Sequence, residues 1–542
     1  MQGAAQWLDD LAIRWQHWDR QRPSVMTVLN CALLVALFVV VNRFVVGHLA
    51  YIPEANYYQD SIALASVQYL WQERRLWPPL AAAVFFIALR YRCVVASWNE
   101  SDFPQSARLF ISLTAFLLAW TFATYDYNLF LDRGHIVDRL LLLLAVPCIY
   151  WRPVFLLPFV CLLAPLIGQF NVPIGGYSWA QPYMPIRLLV LAVAALTLRC
   201  CIKRCWFTDF LLVALCLIAT HYWIPGLGKF NLGWHHADQI SLLLPTTYAN
   251  GWLPFLDAGQ LASLANFMAL LDPALRLITL VLEWAVLFFL WRRSTAQLFL
   301  GCWVLFHCGV FFMSGIFFWK WIVIDIACII WLSYLSKTQL ANLFSTPRFC
   351  ISIVLIASAA YWSKPTNLAW LDMPVTYTYR FSATTEDGKT YSLPPKFFAP
   401  YDYQFTLGND FSYLSQHATL PIVWGGTSNT EVHRLVSAAS TADQVLSIES
   451  GHGAVRYNTA KAAAFDRFLR QFVQAYNRRG SKNTVFSSIQ APRQLWTFPV
   501  SAALPEHSVI TSIRIHEIVS YFDNHSYSEI ATRFVRKVSV DG

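Results

Sequence analysis

The stretch "WFTDFLLVALCLIATHYWIPGLGKFNLGWHHADQ", residues 206–239, begins with a nearly unbroken apolar core over 206–224 and then changes character within a few positions. About 20 helical residues cross a bilayer, so the core reads as a membrane span. Its end is marked by Pro225, Gly226, Gly228 and Lys229, then Trp234, His235, His236 and Asp238. A lysine in that position has two physical uses. It snorkels its ammonium into the headgroups, or, desolvated by apolar neighbours, it serves as a base.

The same pattern recurs along the chain. Hydrophobic residues make up 56% and charged ones 13% of the 542 residues, and that charged share is about half the usual value for soluble domains. Apolar cores near 26–47, 77–93, 109–127, 138–151, 152–169, 187–200, 206–224, 275–291, 296–314, 319–336 and 349–363 predict an all-α polytopic bundle of about eleven spans. The closely spaced fourth and fifth cores also fit a broken or re-entrant pair. Arg14, Arg20 and Arg22, then Arg90, Arg92 and Arg108, then Arg199, Lys203 and Arg204, then Arg292 and Arg293, then Lys337 and Arg348 fall on one side of that topology. By the positive-inside rule the N-terminus is cytoplasmic, and an odd number of spans puts the C-terminus outside, as in a bacterial inner (plasma) membrane protein with a periplasmic tail. The net charge of +9 is spread over these anchors, which argues against a nucleic-acid footprint.

The chain divides into three sections. Over 1–25, Trp7, Leu8, Leu11, Trp15 and Trp18 recur near helical spacing, as in a helix lying in the cytoplasmic interface or packed on nearby loops. Residues 26–363 form the transmembrane section. From 364 to 542 no apolar run is long enough to span, and a mixed, β-rich extracytoplasmic domain is expected. There "VTYTYRFSATTEDGKTYSL" predicts a hairpin turning at Asp387-Gly388. "NTAKAAAFDRFLRQFVQAYNRRG" predicts a helix with an apolar stripe of Phe465, Phe468, Leu469, Phe472, Val473 and Tyr476, capped by Asn458 or Thr459 and closed by Arg478, Arg479 and Gly480. "HSVITSIRIHEIVSYF" and "TRFVRKVSV" read as strands. All twelve cysteines precede this domain, so it does not depend on disulfides. Cys200, Cys201 and Cys205 lack the spacing of a redox pair or zinc knuckle.

Ionisable side chains inside spans are costly and mark interior or functional positions. Glu283 stands mid-span with Arg276 two turns earlier on its face, His307 lies within "VLFHCGVFF", and Asp325 within "WKWIVIDIACIIW". Each either braces the bundle by interhelical hydrogen bonds or lines a polar cavity. Adjacent histidines seldom ligate one ion together, so His221, His235, His236 and Asp238 are not read as a metal site.

"IPGLGKFNLGW", followed by "FHCGVFFMSGIFFW", is similar to the membrane core of the vitamin K-dependent gamma-carboxylase family, also called the horizontally transferred transmembrane domain. The matching positions are Gly226, Lys229 and Trp234, then Phe306, His307, Cys308 and the run from Gly315 to Phe318. The resemblance implies an integral membrane enzyme in which Lys229 deprotonates a reduced, vitamin K-type quinone at the outer face. It further implies carboxylation-type modification of a peptide or protein substrate. Under it, Lys229 and His307 are catalytic, Gly226 and Gly228 let a ring approach the backbone, and Trp223, Phe230, Trp234, His235 and Glu283 line the pocket, with membrane lipid around it and no metal. His135, Asp138 and Arg139 do not fall into the register of the carboxylases' further histidine, and Gly228 replaces their second lysine.

Other classes stay open. Glu54 and Asp60, with Arg74 and Arg75, fit the first outer loop of a polyprenyl-linked membrane glycosyltransferase, or an interfacial loop with a tyrosine belt. The loop "NVPIGGYSWAQPYMPIR" reads as an interfacial cap. A non-catalytic scaffold or a peptide maturation or export factor would need none of this chemistry. Convergence of Lys229, Glu283 and His307 separates the first class, and clustering of Glu54 with Asp60 the second.

Overall fold

The computed structural model describes residues 2–91, 103–125, 129–172, 174, 180–202, 206–406, 411–479, 485–496 and 504–540. Arg92, Lys203, Arg204, Cys205, Gly480 and, in the 171–187 loop, residues 173 and 175–179 lie outside them. Among the described residues six helices are long and apolar enough to cross a membrane: Pro23–Leu49, Gln105–Thr124, Pro153–Asn171, Tyr183–Ile202, Phe207–Asn231 and Arg293–Ser314. A seventh span results if Trp319–Tyr334 and Lys337–Leu343, bent by 119°, count as one.

Eleven spans were expected, and among the described residues the shortfall has local causes. Hydropathy records apolar runs whether or not the backbone stays helical across them. The 138–151 core forms Ile136–Trp151, which ends where Arg152 turns extended ahead of Pro153. The 275–291 core straddles the end of Ala258–Trp284, which passes into a 3-10 turn, Ala285–Phe288. The 349–363 core supplies Thr346–Ala357, of 12 residues, and the 77–93 core supplies Trp77–Leu89, of 13, with positions 92 and 93 outside the described residues.

Phe207–Asn231 is the axis of the bundle. Every residue from Phe207 to Trp223 except Thr208 is buried, packed by neighbours on several sides rather than by lipid. Its first turn carries Asp209, whose Oδ1 accepts from Arg348 Nη2 at 3.1 Å. Lys229 is near its last turn, so the two charged positions mark opposite ends. The N-terminal helix, Gln2–Gln21, is tied down by Asp9 to Arg90 (2.9 Å) and by Trp15 Nε1 donating to Asn30 Oδ1 (2.9 Å), while Trp7 and Trp18 stay exposed.

The C-terminal section carries a four-stranded antiparallel sheet in the order Thr390–Leu393, Val375–Thr385, Ile510–Phe522, Tyr527–Ser539. The hairpin turns at Asp387-Gly388 as its sequence predicts: Gly388 adopts φ 75°, which a residue without Cβ takes freely. Thr459–Arg479 forms the expected helix, Asn458 Oδ1 caps it by accepting from Lys461 N (3.0 Å), and all six stripe residues are buried. Three helices, Thr430–Ser437, Ala442–His452 and Thr459–Arg479, make the section more mixed than its strands alone suggest.

This section sits on one end of the bundle. Gly315, at φ 72°, ends the Arg293–Ser314 helix, and the run after it pairs with a C-terminal segment: Phe317 N donates to Gln494 O (2.6 Å) and Trp496 N to Gly315 O (3.0 Å). Gln404 Nε2 bonds Phe170 O (3.0 Å), Ala491 N bonds Thr124 Oγ1 (3.0 Å), and Phe130 packs on Phe468. One continuous apolar core runs from the helices into the sheet and the Thr459–Arg479 helix.

Candidate functional site

Tyr222, Gly226 and Lys229 succeed one another at four- and three-residue intervals on the axial helix, so they share a face. That face meets the end of Ala258–Trp284. A Cβ on Gly226 would stand 2.8 Å from Glu283 Cβ and 3.2 Å from Trp284 Cδ1, so only glycine lets the two helices approach this closely. Trp284 Nε1 locks the crossing by donating to Gly226 O at 3.1 Å. The consequence is one turn further on: Lys229 Nζ lies 2.5 Å from Glu283 Oε1, with 12% and 5% of the two side chains exposed. The second oxygen, Glu283 Oε2, is buried without a partner among the described residues.

The surroundings are aromatic on one side and acidic on the other. The ammonium of Lys229 stands 5.2 Å from the ring centroid of Trp234. Phe230 stacks on His235 (5.3 Å) and tilts against Trp284 (4.8 Å), and half of its surface is exposed. Trp223 also packs on Trp284. On the acidic side, the buried Asp238 accepts from the backbone N–H of Asp372 (2.6 Å), and Trp370 Nε1 donates to Asp372 Oδ1 (3.1 Å). Burial, and beyond it the charge of nearby Asp272, pushes the Asp238 carboxyl up to about 7 against the hydrogen bond from Asp372. Burial and then Asp238 raise Asp372 well above the ordinary carboxyl range. Lys229 is within electrostatic reach of both.

Deeper along the face, Tyr222 OH lies 2.9 Å from His307 Nε2 and 3.5 Å from Asp325 Oδ2. Its ring stacks on Trp303 at 4.0 Å. His307 Nδ1 and Asp325 Oδ1 are buried without partners among the described residues. The Lys229–Glu283 pair and the Tyr222–His307 pair therefore lie two turns apart along one helix face, with no hydrogen bond between the two pairs among the described residues.

Other positions behave differently. Gly226 and Gly228 admit the chain's own atoms rather than a ring: a Cβ on Gly228 would sit 2.2 Å from Asn367 Oδ1 and 2.8 Å from Ala369 Cβ. His235 and His236 are exposed and pack on each other. Arg276 lies in electrostatic reach of Asp272, and Glu283 takes Lys229 instead. Asp138 caps a neighbouring helix, accepting from Ser61 Oγ (2.8 Å), Ile62 N (2.7 Å) and Ala63 N (3.0 Å). Glu54 and Asp60 diverge, Glu54 toward Tyr58 and Arg467 and Asp60 toward Arg133. Among the described residues no three His, Cys, Asp or Glu side chains are placed to hold a metal ion.

Sequence reasoning passed over Tyr222, Trp284 and Asp372. Tyr222 had a signal, its spacing from Gly226 and Lys229. Asp372 had none, being 134 residues from its partner Asp238. No family model matches the chain, and no curated protein or solved structure matches it.

Proposed function

We propose that this is a membrane-embedded acid–base enzyme of the carboxylase-like class, with Lys229 as the base and Glu283 as its proton partner. The observation that carries the reading is the 2.5 Å contact between them, held in a helix crossing that only Gly226 permits. A lysine must lose its proton before it can take another. Glu283 accepts the proton from the ammonium, leaving a neutral amine and a carboxylic acid. The amine then removes a proton from the substrate, leaving an anion beside a re-formed ammonium. Tyr222 and His307 form a second hydrogen-bonded pair two turns further in on the same face.

A flat, lipid-soluble ring suits the Phe230 side, where an exposed aromatic face adjoins Lys229; the glycine faces are filled. Trp234, His235, Trp284 and Trp223 would wall that side. A reduced, vitamin K-type quinone bound there would supply the acidic hydroxyl. The reading takes the end of the bundle bearing the C-terminal section as extracytoplasmic and the N-terminal helix as cytoplasmic. The contacts of Arg467 with Glu54 at one end and Asp9 with Arg90 at the other support it, as does the basic bias of the loops. A peptide or protein substrate would then approach from the C-terminal section. The divergence of Glu54 and Asp60 gives the glycosyltransferase alternative no support.

The test uses purified protein with reduced vitamin K-type quinone and oxygen, with epoxide formation as the readout. Native protein is expected to form it, and Lys229→Arg, which keeps the ion pair but cannot act as a base, is expected to form none while melting near the native temperature. Absence of epoxide from folded native protein, or its persistence in Lys229→Arg, would sink the reading.

A further inference from the structure

A second charged group is buried in the bundle, and among the described residues nothing neutralises it. Arg187 lies one turn into the Tyr183–Ile202 helix and is 3% exposed. Its guanidinium carbon stands 3.3 Å from the Tyr183 ring centroid, so one face is covered. Nε and Nη1 are buried without an acceptor among the described residues, and no carboxylate there stands within ion-pairing distance. An isolated cation in an apolar interior is far too costly to be retained for packing alone.

His221 faces the same tyrosine. Its ring lies 6.2 Å from Tyr183 and 5.2 Å from Trp321, both edge-on, and it is within electrostatic reach of Arg187. Nδ1 is 2.8 Å from Leu217 O, so Nδ1 carries a hydrogen and the neutral ring presents Nε2 as an acceptor. That Nε2 is also buried and unpartnered among the described residues. Two orphaned guanidinium donors and one orphaned imidazole acceptor thus flank one aromatic ring on neighbouring helices.

We infer that Arg187 and His221 form a binding site for an oxyanion that keeps one hydroxyl, the class of hydrogen phosphate and bicarbonate. Oxygens of the anion accept along the guanidinium edge that Nε shares with Nη2, the paired pattern that a guanidinium presents to an oxyanion, and the hydroxyl donates to His221 Nε2. The phosphate group has two sources, a free ion or the monoester headgroup of a lipid. The site does not depend on Lys229 acting as a base.

The test is the melting temperature of detergent-purified protein at fixed ionic strength and pH 7. Sodium phosphate, bicarbonate and sulfate are titrated, and short-chain phosphatidic acid separately. A ligand bound only by the folded state raises the melting temperature with its concentration. Phosphate or bicarbonate is expected to give a saturable rise of a few degrees, and sulfate, which carries no hydroxyl at this pH, none. A rise with phosphatidic acid alone would assign the phosphate to a lipid. Arg187→Met is expected to abolish the response, and Arg187→Lys, which keeps the charge but not the paired donors, to shift half-saturation at least tenfold. Equal responses to sulfate and phosphate would overturn the hydroxyl assignment. No response to any of the four in native protein would overturn the site, and Arg187→Met melting higher than native would then show an uncompensated charge.

Discussion

Two buried ionic sites in this molecule are built to opposite standards. In the C-terminal section Arg533 bonds both Glu449 and Glu517, the latter at 3.1 Å, while Tyr377 OH donates to Glu449 (2.7 Å) and Tyr379 OH to Glu517 (3.0 Å). This network ties the Ala442–His452 helix to the sheet, with both carboxylates supported by hydrogen bonds. At the helix crossing, Lys229 and Glu283 make one contact, Glu283 Oε2 is left over, and so are His307 Nδ1 and Asp325 Oδ1 further in, among the described residues. A satisfied network rigidifies, whereas spare hydrogen-bonding capacity beside a charge is what proton transfer uses. The first site is a brace by that criterion and the second is a candidate for chemistry.

Removal of the central cation separates the two sites most. Arg533→Leu strands two buried carboxylates, and the expected loss is about 5 kcal/mol, the upper part of the range for breaking buried pairs. Lys229→Leu strands one, and about 3 kcal/mol is expected. Denaturant titration of the two variants in the same detergent would order them. Replacing both partners separates structure from function further: Lys229→Leu with Glu283→Leu is expected to recover the stability lost in the single variant, since a buried pair exchanged for apolar side chains is commonly neutral or better, yet to remain inactive. A double variant as unstable as the single would mean that the pair braces the bundle.

Gly226→Ala probes the crossing itself. The added methyl would meet Glu283 Cβ at 2.8 Å, so the helices must part or tilt. A loss of roughly 1–3 kcal/mol is expected, typical of overpacking, together with a lower rate of epoxide formation. Retained rate at reduced stability would detach the lysine's role from the close approach.

How far this arrangement is legible in the sequence depends on distance along the chain. The Asp387-Gly388 hairpin and the Thr459–Arg479 helix arise from local signals, a turn dipeptide and a stripe at helical spacing, and both stand where expected. Span number was legible only in outline, because apolar runs such as 275–291 continue through a helix end without changing hydropathy. Within the site, Lys229, Glu283 and His307 were visible as costly residues in apolar surroundings. Their placement along one face was half visible, in the helical spacing of Tyr222, Gly226 and Lys229. The Lys229–Glu283 contact spans 54 residues and the Asp238–Asp372 contact 134, and no periodicity carries across such separations. Gly228 shows the converse: a glycine beside a proposed base reads as room for a ligand, but Asn367 and Ala369 take the room.

The smallest expected effect lies at the edge of the site, in the Asp238–Asp372 contact, and its pH dependence distinguishes the two kinds of burial. Asp238 titrates at about 7 in the folded protein and near the ordinary aspartate value of about 3.9 when unfolded. Between those values the folded state binds the extra proton, so stability falls as pH rises from about 4 to about 7 and levels off above. Asp238→Asn keeps an oxygen to accept from the N–H of Asp372 and removes the charge that burial penalises. The variant is therefore expected to match native protein near pH 4 and to exceed it at pH 8 by roughly 1 kcal/mol or more. Melting curves at the two pH values would read this directly. A variant less stable than native at pH 8 would mean that the Asp238 carboxylate is held in its charged form beside Lys229, which would extend the Lys229–Glu283 pair into a three-charge network and make the site a brace like that of Arg533.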